Sequence, residues 1–207
     1  MDYLRDPAAI YARSFEMIRA EANFSWIPEN ARHIATRIIH ACGMLDIVDD
    51  LVISPDFAEA AANALNKTAP IFVDAEMVRH GIIARQITTG NDIICTLNDQ
   101  TAREIGIAKS ITRSAAATAL WLPRLAGAII VIGNAPTALF ALLEMIDAGA
   151  AKPACIVGFP VGFVGAAESK AELAANPRGI PFATISGRRG GSAMASSVIN
   201  ALTGDTP

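Results

Sequence analysis

The side chains able to move a proton near neutral pH are few. The chain has three histidines, His33, His40 and His80. None belongs to an HExxH pair, no GxSxG elbow is present, and no close carboxylate pair stands in a glycosidase-like context. His33 stands one helical turn before Arg37 on a charged stretch and reads as solvated. His80 closes DAEMVRHG, where it serves equally well as a helix C-cap before Gly81 or as a pocket residue. His40 falls on the inward face of its helix beside Ala41 and Gly43, a position that periodicity alone assigns to a packed core histidine.

Anion-binding ends are more numerous. Three apolar runs each lead through a turn into a helical stretch: AIIVIG, ending on Gly133, into Asn134-Ala135-Pro136-Thr137; ACIVGF into PVGFVGAAESK (160–170); and PFATIS into GRRGGSAM (187–194). Glycine admits close approach of backbone N–H groups to a ligand, and a helix N-terminus adds unpaired donors and a positive dipole end. Arg113 and Ser114 open one further helix, and Arg188 and Arg189 precede the last. Any one such loop is an ordinary turn; three on one sheet edge favour a ligand site for carboxylates or phosphates. Arg113, Ser114, Asn134, Thr137, Arg188 and Gly191 are its candidate binding residues. Asn134 and Thr137 rank below the arginines, because backbone N–H groups at the helix start should serve beside them. GRRGGS is not GxGxxG and no GxxxxGK[ST] occurs, so a nucleotide has little support.

These loops need a scaffold. The helical period predicts helices over 4–22, with Ile10, Phe15, Met17 and Ile18 apolar, and from Pro28 to Gly43, with a stripe of Ile34, Ile38 and Ala41. Strands are expected at 51–54, 70–74, 92–97, 128–133, 154–159 and 181–186. Helices are expected near 56–66, 75–80, 99–108, 113–124, 136–148, 166–175 and 191–202. The central strands are apolar throughout, which requires burial on both faces. This predicts an α/β fold: a three-layer α/β/α sandwich on a mostly parallel sheet of five to six strands, preceded by a helical segment, with residues 1–207 as one domain. The last residues, TGDTP, should fray.

Composition narrows the function classes. Apolar residues make up 52% and charged ones 18%, and mean hydropathy is +0.37; part of that surface should be hidden in an oligomer. A net charge of −3 and 6% aromatics argue against a nucleic-acid partner. Cys42, Cys95 and Cys155 are far apart, form no CxxC and read as buried reduced thiols rather than metal ligands. No apolar run is long enough to span a bilayer, and MDYLRDPAAI lacks a signal pattern, so a cytoplasmic protein is expected. Residue types and spacing thus reach an α/β protein for a polyanionic ligand, with one or two candidate acid/base histidines.

The motifs carry the reading further. YARSFEMIR (11–19), IHACG (39–43), SPDF (54–57), PIFVDAEMVRHG (70–81), ICTL (94–97), TRSAAA (112–117), IGNAPTALFALLEM (132–145), PVGFVGAAESK (160–170) and GRRGGSAMA (187–195) run the length of the chain. Together they resemble the precorrin-8X methylmutase family, with GNAPTAL and PVGFVGAAESK the most specific. The resemblance implies an isomerase that moves a methyl group from ring carbon 11 to carbon 12 of precorrin-8X and gives hydrogenobyrinate, without metal or organic cofactor. It implies a homodimer. It assigns acid/base chemistry to the HACG histidine, His40, and substrate contact to the RSF serine, Ser14. The ligand's acetate and propionate arms match the anion-binding ends, and its flat ring asks for apolar walls, for which Phe15, Met77 and Phe163 are candidates. Two other readings stay open: an enzyme of the same family acting on cobalt-containing substrate, and a carrier that binds corrinoids without turnover.

Overall fold

Local signals set the helix ends. In the computed structural model, which describes Met1 and residues 3–204, α1 (Pro7–Glu21) starts where Asp6 accepts the Ala9 N–H at 2.7 Å and Pro7 pre-sets the first turn. The helix therefore begins later than the expected residue 4. A short 3-10 turn (Glu29–Ala31) leads into α2 (Arg32–Cys42), which Gly43 ends at φ +69°, a left-handed conformation that glycine adopts without strain. Its buried stripe is Ile34, Ala35, Ile38 and Ile39. Ala41, expected in that stripe, is exposed, because the last turn carries His40 and Cys42 to the rim of the molecule.

The remaining helices are α3 (Phe57–Asn66), α4 (Glu76–Gly81), α5 (Gln100–Lys109), α6 (Arg113–Thr118), α7 (Pro136–Asp147), α8 (Ala166–Ala175) and α9 (Ser192–Thr203). The single helix expected over 113–124 is divided. After Thr118 the chain tightens into a 3-10 segment, Ala119–Arg124, that contains Pro123. Proline removes a donor and its ring clashes with the carbonyl four residues back, so an α-helix cannot continue through it. The expected fraying of the tail falls mainly on residues 205–207, outside the described residues; Thr203 is the last residue of α9.

Six strands, β1 (Leu51–Ile53), β2 (Ile71–Val73), β3 (Ile93–Cys95), β4 (Ile129–Ile132), β5 (Cys155–Gly158) and β6 (Phe182–Ile185), form one sheet in the order β1-β6-β5-β4-β2-β3. All pairs are parallel except β1 with β6. Alternation along the strands builds two cores. Ile71, Val73, Ile129, Val131, Val157, Ala183 and Ile185 pack with α2, α3, α4 and α9. Phe72, Ile130, Ile132, Ile156 and Phe182 pack with Trp121, α7 and Leu173 of α8. The expected three layers follow from this two-sided burial.

The edge of interest is the carboxyl end of the parallel strands. β1 runs against β6, with Leu51 opposite Ile185. The 3-10 turn Leu45–Asp50 that joins α2 to β1 therefore lies at that end. It brings the C-terminus of α2 to the same edge as the turns that follow β2, β4, β5 and β6.

Candidate functional site

His40 and Ser14, 26 residues apart, meet where α1 packs on α2. Ser14 Oγ lies 2.9 Å from His40 Nδ1. The Phe15 ring sits against the imidazole at 4.9 Å and the Tyr11 ring meets it edge-on at 5.5 Å. The Arg37 guanidinium covers both aromatic rings, 5.3 Å from Tyr11 and 5.8 Å from Phe15. A cavity of about 200 Å³ opens here, lined by Ser14, Met17, Ile18, Ile39, His40 and Gly43 among others. His40 is half-buried and is not the packed core residue that periodicity favours.

Electrostatics tune this histidine. Burial first, and the nearby Arg37 charge second, lower its pKa below the ordinary 6.5. Ser14 engages Nδ1, which leaves Nε2 as the ring nitrogen open to a ligand. As an imidazolium, His40 donates through Nδ1 to Ser14 and through Nε2 outward.

The other histidines take different places. His33, expected to be solvated, is half-buried because α1 and α9 both pack on α2. Burial lowers its pKa, and a hydrogen bond to the Asn30 backbone partly opposes that. His80 lies in the last turn of α4, its side chain 80% exposed and 3.8 Å from Glu76. It borders a broad groove with Asn91 and Asp92, which precede β3, so it sits at the amino end of the sheet, away from His40. Cys155 is buried, whereas Cys42 and Cys95 are only half-buried. Desolvation still raises all three thiols, Cys95 to about 11 and Cys155 to about 12.

The turns expected to bind anions are built unequally. Buried Asp74, just after β2, accepts the N–H groups of Gly133, Asn134 and Ala135 at 2.9, 3.0 and 2.7 Å. Those donors, expected to serve a ligand at the start of α7, are occupied by the protein's own carboxylate. The side chains of Asn134 and Thr137 thus gain weight. Thr137 Oγ1 pairs with Thr112 Oγ1 at 2.8 Å, which joins the starts of α6 and α7. Arg113 is exposed and lines a cavity of about 430 Å³ with Asn98, Asp99, Arg103 and Glu104; Ser114 beside it is half-buried.

The turns after β5 and β6 are fastened together. Gly162 N donates to the Arg188 carbonyl, and Gly191 N donates to the Phe159 carbonyl. A Cβ on Gly190 would collide with the Phe159 and Pro160 carbonyl oxygens, so only glycine fits there. Arg189 is held by Asp46, at 2.6 Å, and by Asp50. Arg188 is exposed and lies over the Phe163 ring at 5.4 Å. Gly191 caps α9 without a side-chain bond, which leaves its first N–H groups unpaired by a cap. Of the three candidate apolar walls, Phe15 is buried beneath His40, while Phe163 and Met77 are exposed.

The structure therefore joins Ser14 to His40, Thr137 to the Arg113 helix, and Arg188 to the Gly191 turn. Among the described residues no hydrogen bond or ion pair links the Ser14–His40 pair to Arg113, Thr137 or Arg188. Nor do the described residues hold a group of three or more His, Cys, Asp or Glu able to bind a metal, and no described helix is long and apolar enough to cross a membrane. Residue types and spacing missed Asp74, Arg37 and Lys170. For Lys170 a signal existed: with Ala166, Ser169 and Leu173 it lies on the buried stripe of α8.

Comparison with known proteins places this arrangement. The family model described as precorrin-8X methylmutase (CbiC) matches residues 9–204. The chain belongs to the precorrin-8X methylmutase family. It is similar to the precorrin-8X methylmutase of Pseudomonas aeruginosa, at 54% identity over 98% of this chain and 97% of that one. It is similar at 34% identity to the cobalt-precorrin-8 methylmutase of Priestia megaterium, over 95% of this chain and 87% of that one. The crystal structure of a precorrin-8X methylmutase from Thermus thermophilus superposes with a TM-score of 0.85 and 34% identity, covering 95% of this chain and 94% of the other.

Proposed function

We propose that this chain, folded as one domain, is an isomerase that converts precorrin-8X to hydrogenobyrinate by moving the methyl group from ring carbon 11 to carbon 12, with His40 as acid and base. The family match supports the reaction. The observation that carries the residue assignment is the 2.9 Å contact of Ser14 with His40 inside an aromatic pocket. Nε2 of the imidazolium donates its proton to the conjugated ring system. The protonated framework draws electron density from the carbon that bears the methyl, and the methyl migrates to its neighbour. The same proton then returns to Nε2, so substrate and product are isomers and the protein ends unchanged. Ser14 holds the imidazole in one orientation throughout. Purified protein given precorrin-8X should change its absorbance as the conjugation changes. Binding of hydrogenobyrinate without turnover would make it a carrier instead.

A metal-free ring is the better substrate reading. Identity is 54% and 53% to two proteins named for precorrin-8X, and 34% to one named for the cobalt form. Parallel assays with and without cobalt in the ring test this choice.

The acetate and propionate arms are received by Arg113, Ser114, Asn134, Thr137, Arg188 and the Gly191 turn. Arg113→Ala and Arg188→Ala should each fold normally, since both side chains are exposed. A charge-assisted hydrogen bond is worth roughly 1.5–3 kcal/mol, so affinity for hydrogenobyrinate should fall about tenfold to a hundredfold. Unchanged titration curves for both variants would move the arms elsewhere.

A homodimer fits the surface of α1. Ile10 and Met17 are 46% exposed on this helix, Tyr3 and Leu4 stand exposed before it, and Met17 also lines the His40 cavity. Sedimentation at micromolar concentration should return twice the monomer mass; a stable monomer overturns this. The three unpaired cysteines suit the reducing cytoplasm.

A further inference from the structure

Lys170 is a lysine where α8 needs only an apolar residue. It is 1% exposed, on the stripe that Ala166 and Leu173 share. Its Nζ donates to the main-chain carbonyl of Arg189, in the turn between β6 and α9. Asp50, which binds the Arg189 side chain, is the charge that favours its ammonium form. Burial is costly for an ammonium and lowers its pKa to about 8. A methionine of similar length would fill the same space without that cost, so packing alone does not account for the charge.

The bond has a geometric consequence. No peptide in the described chain is cis. In a trans peptide the carbonyl and the following N–H point in opposite directions. Drawing the Arg189 carbonyl toward α8 turns the Gly190 N–H away from α8. The preceding peptide is fixed likewise, since the Arg188 carbonyl accepts from Gly162. Neither the Arg189 nor the Gly190 N–H has a hydrogen-bond partner among the described residues.

We propose that Lys170 is a positioning residue for substrate binding: its ammonium, behind the turn and out of reach of solvent, sets the orientation of the 188–191 backbone that presents Arg188 and two unpaired N–H groups to a ligand carboxylate. This rests on the reading of that turn as a carboxylate-binding end. Lys170 does not touch the substrate; it acts through the turn.

The test uses the full-length protein with hydrogenobyrinate as the binding probe and precorrin-8X as substrate. Lys170→Met keeps the stem and removes the charge. Lys170→Gln, shorter by one atom and neutral, is made alongside so that the result does not hang on one variant's folding. In the folded variants the Kd of hydrogenobyrinate and the KM should rise about tenfold, with kcat within about twofold. In the Lys170→Met background, Arg188→Ala should lose most of its own effect, because the turn that aims Arg188 is already released. Arg113→Ala, at the start of α6, should keep its full effect there. A residue with only a structural role would lower the melting temperature, leave Kd unchanged in the folded fraction, and combine additively with Arg188→Ala; that result overturns the proposal. If Arg188→Ala and Lys170→Met both leave Kd unchanged, the turn itself is not a binding end and the underlying reading fails with it.

Discussion

His40→Ala is expected to fold, to bind hydrogenobyrinate within a few-fold of the parent protein, and to lose about 10²–10⁴ in turnover, the usual contribution of a positioned general acid. The half-buried imidazole leaves a small cavity beside Phe15, so stability falls little. Melting temperature, product affinity and kcat measured on one sample separate this from a packing role, in which activity falls only as the folded fraction falls. Near-normal turnover in a folded variant removes His40 from the mechanism. The pH profile offers a second check. Burial and Arg37 hold the free-enzyme pKa below 6.5. With the imidazolium as the proposed active form, kcat/KM should fall as pH rises through that lowered value. The same shift affects folding in the opposite sense. His40 binds its proton less readily folded than unfolded, so its contribution to stability is complete above pH 6.5 and is lost as pH falls through the lowered value.

Asp74→Ala should be the most destabilising single change near the site. The carboxylate is 2% exposed and satisfies three backbone donors. An unsatisfied buried donor costs about 1–3 kcal/mol. Three of them, partly relieved by entering water, should cost roughly 3–5 kcal/mol in urea unfolding. Asp74→Asn keeps the shape but turns an NH₂ toward at least one donor, so it should cost less than alanine and still clearly destabilise. Burial raises the Asp74 pKa, and the three donors oppose it without cancelling it. A raised carboxyl pKa means that this group's contribution to stability is greatest below the ordinary 3.8 and declines as pH rises through the higher folded value. Parent-like stability in Asp74→Ala would show that water replaces the carboxylate at no cost. Ligand affinity should fall as well, because the turn that Asp74 ties down carries Asn134 and Thr137.

Much of this was legible from residue order. The continuous apolar runs around IIVI and CIVG required burial on both sheet faces, and the sheet has that. Gly43 ended α2 where a left-handed residue was needed. Periodicity misjudged His33 and Ala41, since it reports which side of a helix is apolar and not how far its neighbours extend. Its expected helix over 113–124 also passes through Pro123, where the chain is a 3-10 segment because the proline ring breaks an α-helix.

The site divides in the same way. Residue types identified the glycine turns, the arginines and the histidines, because each carries its chemistry wherever it stands. The motifs singled out Ser14 and His40. The sequence by itself determined the alternating architecture, the family, and the inventory of proton-moving and anion-receiving groups. Only the tertiary structure decided which groups meet: Ser14 with His40 across 26 residues, Asp74 with the β4–α7 turn, and Lys170 with the carbonyl of Arg189. The physical reason is that periodicity and capping act within a few residues, whereas hydrogen bonds between distant segments exist only after two-sided burial of the sheet has set strand order and brought the turns to one edge.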